Sequence, residues 1–348
     1  VERRRRRIVI DRPGGYAALR LVEDTLPAPG PGEVAIAVEA AGVNYADGII
    51  RMGLYASAKA LHGYPITPGF ELAGTVLEVG EDVGDLAPGE RVMALTLFGG
   101  YTSRIHLERR RVFRIPAALT VEQAATLPTV FLTAWFMVHQ QLHPRRGERW
   151  LVHSAAGGVG QAIAQLGRLA GCEVIGVVGQ SEKVEAARAA GCHAVIDKST
   201  EALWRRAEAL APGGFDAIFD ANGVATLADS YAHLKPTGRL LIYGFATMLP
   251  KDGRLNWLKL AWDWLRTPRF NPLTMTQQNR SVLACNLSFL SQEAERLLEG
   301  MDWLLSRFAS GELKPLPLTA FDLADAARAQ QFIESGRSIG KLVLRCGG

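Results

Sequence analysis

Residues 150–160 read WLVHSAAGGVG and run directly into QAIAQLGRLAG, residues 161–171. The apolar run Trp150–His153 breaks into small residues. The chain then resumes with Ile163, Leu166 and Leu169 on roughly one helical face. Gly171 ends that helix, and EVIGVV (173–178) reads as a second buried strand, which completes a strand–helix–strand unit. At the first turn stands Ala155-x-Gly157-x-x-Gly160, with Gly158 as an additional glycine and alanine where the usual fingerprint begins with glycine. Such a hexapeptide alone is weak evidence. Between a buried strand and a helix it is the arrangement that holds a dinucleotide pyrophosphate, because glycines admit the phosphates to the backbone and the helix N-terminus faces their charge.

The alternation continues outward. Over residues 148–247, ERWLVHS, EVIGVVG, AVIDK, FDAIFDANG and GRLLIYGFA read as strands, and QAIAQLGRLAG and SEKVEAARAAG as helices. This predicts an α/β domain with a doubly wound parallel sheet. Upstream, residues 8–120 read as short strands separated by Gly/Pro turns, with period-two alternation at Val34–Val38, which predicts a small β-barrel-like domain. Helical patterning takes over at Thr120–Ala125. Residues 292–310 predict an amphipathic helix, and the tail a final helix and strand.

With 348 residues, nearly half of them hydrophobic, the chain is long enough for about two domains with substantial cores. A net charge of +4 does not mark a nucleic-acid binder. The one strong charge run, Arg3–Arg7, reads either as a contact for an anionic surface or as the solvated start of an edge strand, and IVI directly after it favours the strand. No apolar run is long enough to span a bilayer, and the start has no signal-peptide layout. Cys172, Cys192, Cys285 and Cys346 are scattered without C-x-x-C spacing, which points to a reducing, cytoplasmic setting and away from a structural zinc lobe.

Further segments complete a recognisable order: GVNYADGIIRMGLY (42–55), PGFELAGTVLEVG (68–80), GERVMAL (89–95), EQAATLPTVFLTAWFMV (122–138), GRLLIYGFA (238–246) and GKLVL (340–344). Together with VHSAAGGVG and SEKVEAARAAG they resemble the medium-chain dehydrogenase/reductase superfamily, in its zinc-free quinone oxidoreductase branch, over residues 8–344. The segment 248–275 with QQNRSVLACNLSFL looks most like the vesicle amine transport protein-like members. The resemblance implies a Rossmann-type NADP-binding domain, residues 126–286, inserted between the two parts of a GroES-like β-barrel catalytic domain, residues 1–125 and 287–348. It implies an active site between the two domains and a homodimer joined through an edge strand near Ser281–Phe289.

Zinc alcohol dehydrogenases of that superfamily carry a cysteine where this chain has Asn44 and a histidine where it has Phe70. Glu71 remains, but one carboxylate does not make a catalytic zinc site, so no metal is expected. For the cofactor, the second strand ends Val177-Val178-Gly179-Gln180 without the acid that would bind a ribose 2′-hydroxyl. Ser181 and Lys183 follow; relatives use this S-x-K pair for the 2′-phosphate of NADPH, and often add a tyrosine where this chain has Lys198. The alternative is that both lysines are ordinary surface residues. The cofactor set the resemblance implies is Ala155, Gly157, Gly158, Val159, Gly160, Ser181, Lys183, Lys198, Asn222, Gly244, Phe245 and Asn286, for NADP(H). Asn44, Tyr55 and Thr133 are the candidate catalytic residues, polar without being strong acids. Asn44 reads also as a turn residue, Tyr55 as a loop aromatic and Thr133 as a hydroxyl bonded within its own helix. Asp47 reads as a brace for the local turn.

The expected reaction is hydride transfer from NADPH to a quinone or α,β-unsaturated carbonyl compound, acceptors that need no metal to polarise them. The competing expectations are a non-catalytic NADPH-binding regulatory or membrane-associated protein and, third, a zinc-dependent alcohol dehydrogenase. The segment Leu255–Leu265 carries Trp257, Trp262 and Trp264, with Lys251, Arg254, Lys259, Arg266 and Arg269 on it or beside it. Packing or a dimer contact is the first reading, a lid over an apolar pocket the second, and a membrane surface the third.

Overall fold

Six strands of the computed structural model, which describes residues 3–250, 255–290 and 293–347, lie parallel in one sheet. In spatial order they are Ala194–Asp197, Glu173–Val178, Arg149–Val152, Phe215–Asp220, Leu234–Ile242 and Ser281–Ala284. Numbered along the chain this is 3-2-1-4-5-6, the order in which the winding reverses between strands one and four. The crossovers carry helices Gly158–Leu169, Val184–Ala189, Leu203–Leu210 and Leu227–Ala232. Ile163 and Leu166 of the first helix are essentially fully buried, each contributing roughly 1.5–3 kcal/mol of transfer free energy. Leu151, Ile175, Ile196, Phe215, Ile218 and Leu240 form the core of this sheet. The doubly wound expectation is met.

This sheet belongs to one of two compact units, made of residues 130–250 and 255–287. The other unit comprises residues 3–129, 288–290 and 293–347 among those described. It is built on a seven-stranded sheet ordered Leu318–Asp322, Lys341–Arg345, Glu33–Val43, Glu71–Val79, Arg91–Leu95 and Val112–Arg114, with Arg104–Glu108 also paired to Glu33–Val43. Register shifts at Ala35/Ile36 and Val38/Ala40 interrupt the long strand's ladder with Glu71–Val79. Its two halves pair with different partners, Arg104–Glu108 over residues 33–37 and Lys341–Arg345 over residues 40–43. Bulges of this kind bend a strand and let a sheet curl.

The arginine run lies in strand Arg4–Val9, paired with Arg20–Thr25. Asp24 holds both Arg5 and Arg7, and Glu78 holds Arg3, so three of the five arginines are ion-paired within the chain. Thr120 caps the next helix through a reciprocal pair with Gln123, as a Thr-x-x-Gln spacing allows. Helix Ala294–Ser310 matches the predicted amphipathic segment.

The first reading of Leu255–Leu265 is packing or a dimer contact, and only its packing half is corrected: the tryptophans do not pack into this chain. Helix Trp257–Arg266 leaves Trp257, Trp262 and Trp264 at 67%, 60% and 65% exposure, and its buried residue is Asp263. The Lys259 ammonium bonds both Asp263 and the Thr247 carbonyl, so the polar side faces inward. Lys251 and Arg254 lie outside the described residues.

Candidate active site

Every parallel strand ends next to a residue singled out from the sequence. Ala155–Gly160 follow Arg149–Val152, Ser181 and Lys183 follow Glu173–Val178, and Lys198 follows Ala194–Asp197. Asn222 follows Phe215–Asp220, Gly244 and Phe245 follow Leu234–Ile242, and Asn286 follows Ser281–Ala284. Parallel strands deliver their carboxyl ends to one edge of the sheet, where ligands of doubly wound sheets bind. One edge therefore gathers residues spread over more than a hundred positions.

At its centre the chain leaves the strand through Ser154, which adopts φ +55°, and enters helix Gly158–Leu169 with Gly157 as N-cap. The first-turn N–H groups of Gly158, Val159 and Gly160 have no upstream carbonyl of their own helix to bond. Gly160 is forced by close approach: a Cβ there would lie 2.4 Å from the Ser154 carbonyl oxygen and 2.8 Å from Ala155 Cα. The turn is thus a tight cradle of N–H groups at a helix N-terminus, which suits a pyrophosphate. These residues fit a dinucleotide.

A buried network not foreseen from the sequence holds the neighbouring strand end. Asp220 accepts the backbone N–H groups of Asn222 at 2.9 Å and Gly223 at 3.1 Å, and the hydroxyls of Thr226 and Ser230. The Ser230 proton goes to Asp220, so His153 Nε2, 3.0 Å from that hydroxyl, carries the imidazole proton. Burial lowers His153 to a pKa of about 4 and keeps it neutral. Asn222 in turn accepts from the Ser154 hydroxyl at 3.2 Å, which ties it to the glycine turn. His153 is accordingly a packed brace for the strand end that leads into the glycine turn.

Around the second strand the structure adds an acid. Asp197 pairs in register with Val178, and its carboxylate accepts the Ser181 hydroxyl and both the N–H and the hydroxyl of Ser199. Those bonds, the Ser181 one foremost, hold Asp197 below the usual carboxylate range and therefore ionised. The Ser181 proton expected to serve a phosphate is directed at Asp197 instead. Lys183 is lowered from the ordinary lysine range by partial burial. The Lys198 side chain passes over Gly179, its Cε 3.4 Å from where a Cβ would stand.

In the other unit, Asn44 caps helix Tyr45–Arg51. The Asp47 carboxylate accepts the Asn44 N–H and the Tyr101 hydroxyl, both at 2.8 Å, and the Gly69 N–H at 3.1 Å. Burial raises Asp47 to a pKa of about 6 against the lowering effect of those bonds. It braces the turn as expected. The Asn44 carboxamide meets Glu71 and Lys341. Lys341 Nζ is 2.7 Å from Glu71 Oε1, and both side chains are buried, so removing either partner alone would cost about 3–5 kcal/mol. Lys341 was missed from the sequence; the signal was a lysine inside the apolar run GKLVL. Tyr55 precedes helix Ala56–Leu61, donates its hydroxyl to Ser288 at 3.1 Å and meets Phe70 edge-on at 5.8 Å. Phe70 and Glu71 thus link Tyr55 to Asn44. Thr133 lies half-buried on helix Pro128–Trp135, in the unit of the parallel sheet.

The donors around Glu71 do not suit zinc. Its Oε1 is bound by an ammonium and an amide, its Oε2 by the Thr129 N–H, and the flanking side chains are an amide and a phenyl ring.

A family profile described as "Alcohol dehydrogenase GroES-like domain" matches residues 30–117, and one described as "Zinc-binding dehydrogenase" matches residues 158–301. The second does not reach Asn44, Phe70 or Glu71. The "Synaptic vesicle membrane protein VAT-1 homolog" of Homo sapiens is 33% identical over 333 residues, 95% of this chain and 84% of that protein. Among solved structures, the quinone oxidoreductase of Escherichia coli complexed with NADPH is 28% identical, with a TM-score of 0.84 over 98% of this chain and 99% of that one. The CurK enoyl reductase is 26% identical, with a TM-score of 0.83 over the same shares.

Proposed function

The chain belongs to the medium-chain dehydrogenase/reductase superfamily as a quinone oxidoreductase-like member, and from that premise we propose that it is an NADPH-dependent reductase of quinones or α,β-unsaturated carbonyl compounds. The observation that carries this reading is the convergence of the candidate cofactor residues at one edge of the parallel sheet, with the Gly160 cradle at its centre. Residues 126–286 are read as the nucleotide-binding domain, and 1–125 with 287–348 as the catalytic one.

In this reading the N–H groups at Gly158–Gly160 take the pyrophosphate, and Lys183 and Lys198 take the 2′-phosphate. Asn222, braced by Asp220, shapes the middle of the edge, with Gly244, Phe245 and Asn286 toward the nicotinamide. Bound NADPH supplies the hydride. Asn44, Tyr55 and Thr133 offer hydrogen bonds to the acceptor, and the Tyr55 hydroxyl or water supplies the proton. The proposal includes a cytoplasmic homodimer joined near Ser281–Phe289, where Ser281–Ala284 is one of the two edge strands of the parallel sheet.

The exposed tryptophans of helix Trp257–Arg266 favour a second reading, an NADPH-binding protein that acts through a partner or a lipid surface. Among the described residues no helix is long and apolar enough to cross a membrane. NADPH oxidation by the purified chain against a panel of quinones and enones, with chelator present, separates the two. Turnover with NADPH supports the reductase. Tight NADPH binding without turnover of any acceptor supports the second reading.

A further inference from the structure

The Asn44 carboxamide is gripped by two opposite charges. Its Oδ1 is 2.6 Å from Lys341 Nζ, and its Nδ2 donates to Glu71 Oε1 at 2.9 Å. Lys341 Nζ also donates to Glu71 Oε1 at 2.7 Å and to the Val43 carbonyl at 3.0 Å, which gives an acceptor to each of its three protons. Asn44 directly follows strand Glu33–Val43, and Glu71 and Lys341 open the two strands that flank it in the sheet. Gly42 leaves the room this needs, since a Cβ there would lie 2.4 Å from Glu71 Oε1.

The chemistry allows one orientation of the amide. An ammonium can only donate, so it requires the amide oxygen; a carboxylate can only accept, so it requires the NH₂ group. Flipping the carboxamide would set N–H against N–H and oxygen against oxygen. The Asn44 backbone is held separately by Asp47. Oδ1 takes the Lys341 ammonium and, in the capping box, faces the Asp47 backbone N–H, so the group left over is the second Nδ2–H, which has no acceptor among the described residues, on a side chain whose residue is 8% exposed. Charge at both ends also polarises the amide and strengthens that donor.

We infer that Lys341 is a positioning residue, whose ammonium sets the Asn44 carboxamide as a hydrogen-bond donor, not an acceptor, toward the carbonyl oxygen of the substrate. The inference rests on the reductase reading for the identity of that carbonyl, but the orientation of Asn44 is testable without turnover. Lys341→Met alone strands the Glu71 carboxylate, so the informative variant is Glu71→Gln/Lys341→Met, in which both charges leave together. With asparagine labelled in ¹⁵N, the side-chain NH₂ resonances that vanish in Asn44→Ala belong to Asn44. In the wild type they are expected to be resolved and slow to exchange with solvent, and in the double variant to shift and lose that protection. Fast exchange in the wild type, or an unchanged pair in the double variant, overturns the inference.

The kinetic arm uses the same proteins with a quinone and NADPH. The double variant is expected to lose tenfold or more in kcat with NADPH affinity within twofold of wild type, and to lose nothing further when added to Asn44→Ala. An equal loss in the Asn44→Ala background overturns the inference, because Lys341 would then act through something other than Asn44. A wild type inactive with every acceptor overturns the reductase reading and leaves the resonance test to decide Lys341.

Discussion

Replacing Gly160 by alanine isolates the cradle from everything else in the chain. The new Cβ would stand 2.4 Å from the Ser154 carbonyl oxygen, about 1 Å inside ordinary contact, and 2.8 Å from Ala155 Cα. Both obstacles are backbone, and Ser154 already sits at φ +55°, so no side chain can swing away. Overpacking of this kind costs roughly 1–3 kcal/mol. At about 2–4 °C per kcal/mol, Tm should fall by several degrees. Relief requires the turn to open by about 1 Å, which misaligns the first-turn N–H groups. Losing one charge-assisted hydrogen bond, about 1.5–3 kcal/mol, weakens NADPH binding roughly 10- to 100-fold. Gly157→Ala is the control: its Cβ meets the same carbonyl at 3.3 Å, a contact that a small shift relieves. Fluorescence titration of NADPH into the three proteins measures the effect. Wild-type affinity in Gly160→Ala, or a larger loss in Gly157→Ala, would refute the cradle.

Lys183→Ala should weaken NADPH roughly tenfold and leave NADH nearly unchanged, as loss of a charge-assisted contact to the 2′-phosphate requires; a parallel loss for both cofactors would exclude that contact. Asp197→Asn removes an ionised carboxylate beside Ser181 and should tighten NADPH about threefold or more at low salt, an effect that 0.5 M salt erases. Asp47 gives a pH signature. Its folded pKa of about 6 lies above the ordinary aspartate value of 3.8, so its stabilising contribution is complete below about pH 4 and is lost as pH rises through 6. At 1.36 kcal/mol per unit that is about 3 kcal/mol, and Asp47→Asn should flatten the denaturant midpoint between pH 4 and 7; an unchanged slope contradicts it.

The strand–helix alternation and the glycine turn were legible because a buried parallel strand and an amphipathic helix each write their period into the chain. The strand order 3-2-1-4-5-6 was not read from the sequence, because the point at which the winding reverses is set by which strands pair and not by the period of any one of them. Helix Trp257–Arg266 shows the limit of that reading. Its amphipathic pattern is plain, but which side faces inward was decided by Asp263, which Lys259 neutralises and which no apolar period announces. The polar partners were hidden for a different reason. Lys341 lies 270 residues from Glu71 and 297 from Asn44, and only the register of three adjacent strands brings them together. Asp197 escaped in the same way: it ends the neighbouring strand, whereas the sequence was searched for an acid at the end of the Glu173–Val178 strand itself.

Deuterium transfer tests the reductase claim most directly. The full chain is incubated with NADPH carrying deuterium at C4 of the nicotinamide and with an α,β-unsaturated carbonyl compound, and the product is analysed by mass and NMR. The account predicts deuterium at the β-carbon of the reduced product, with NADPH consumed in equal amount. Reduced product without deuterium, or NADPH left unoxidised with every enone and quinone offered, would contradict it.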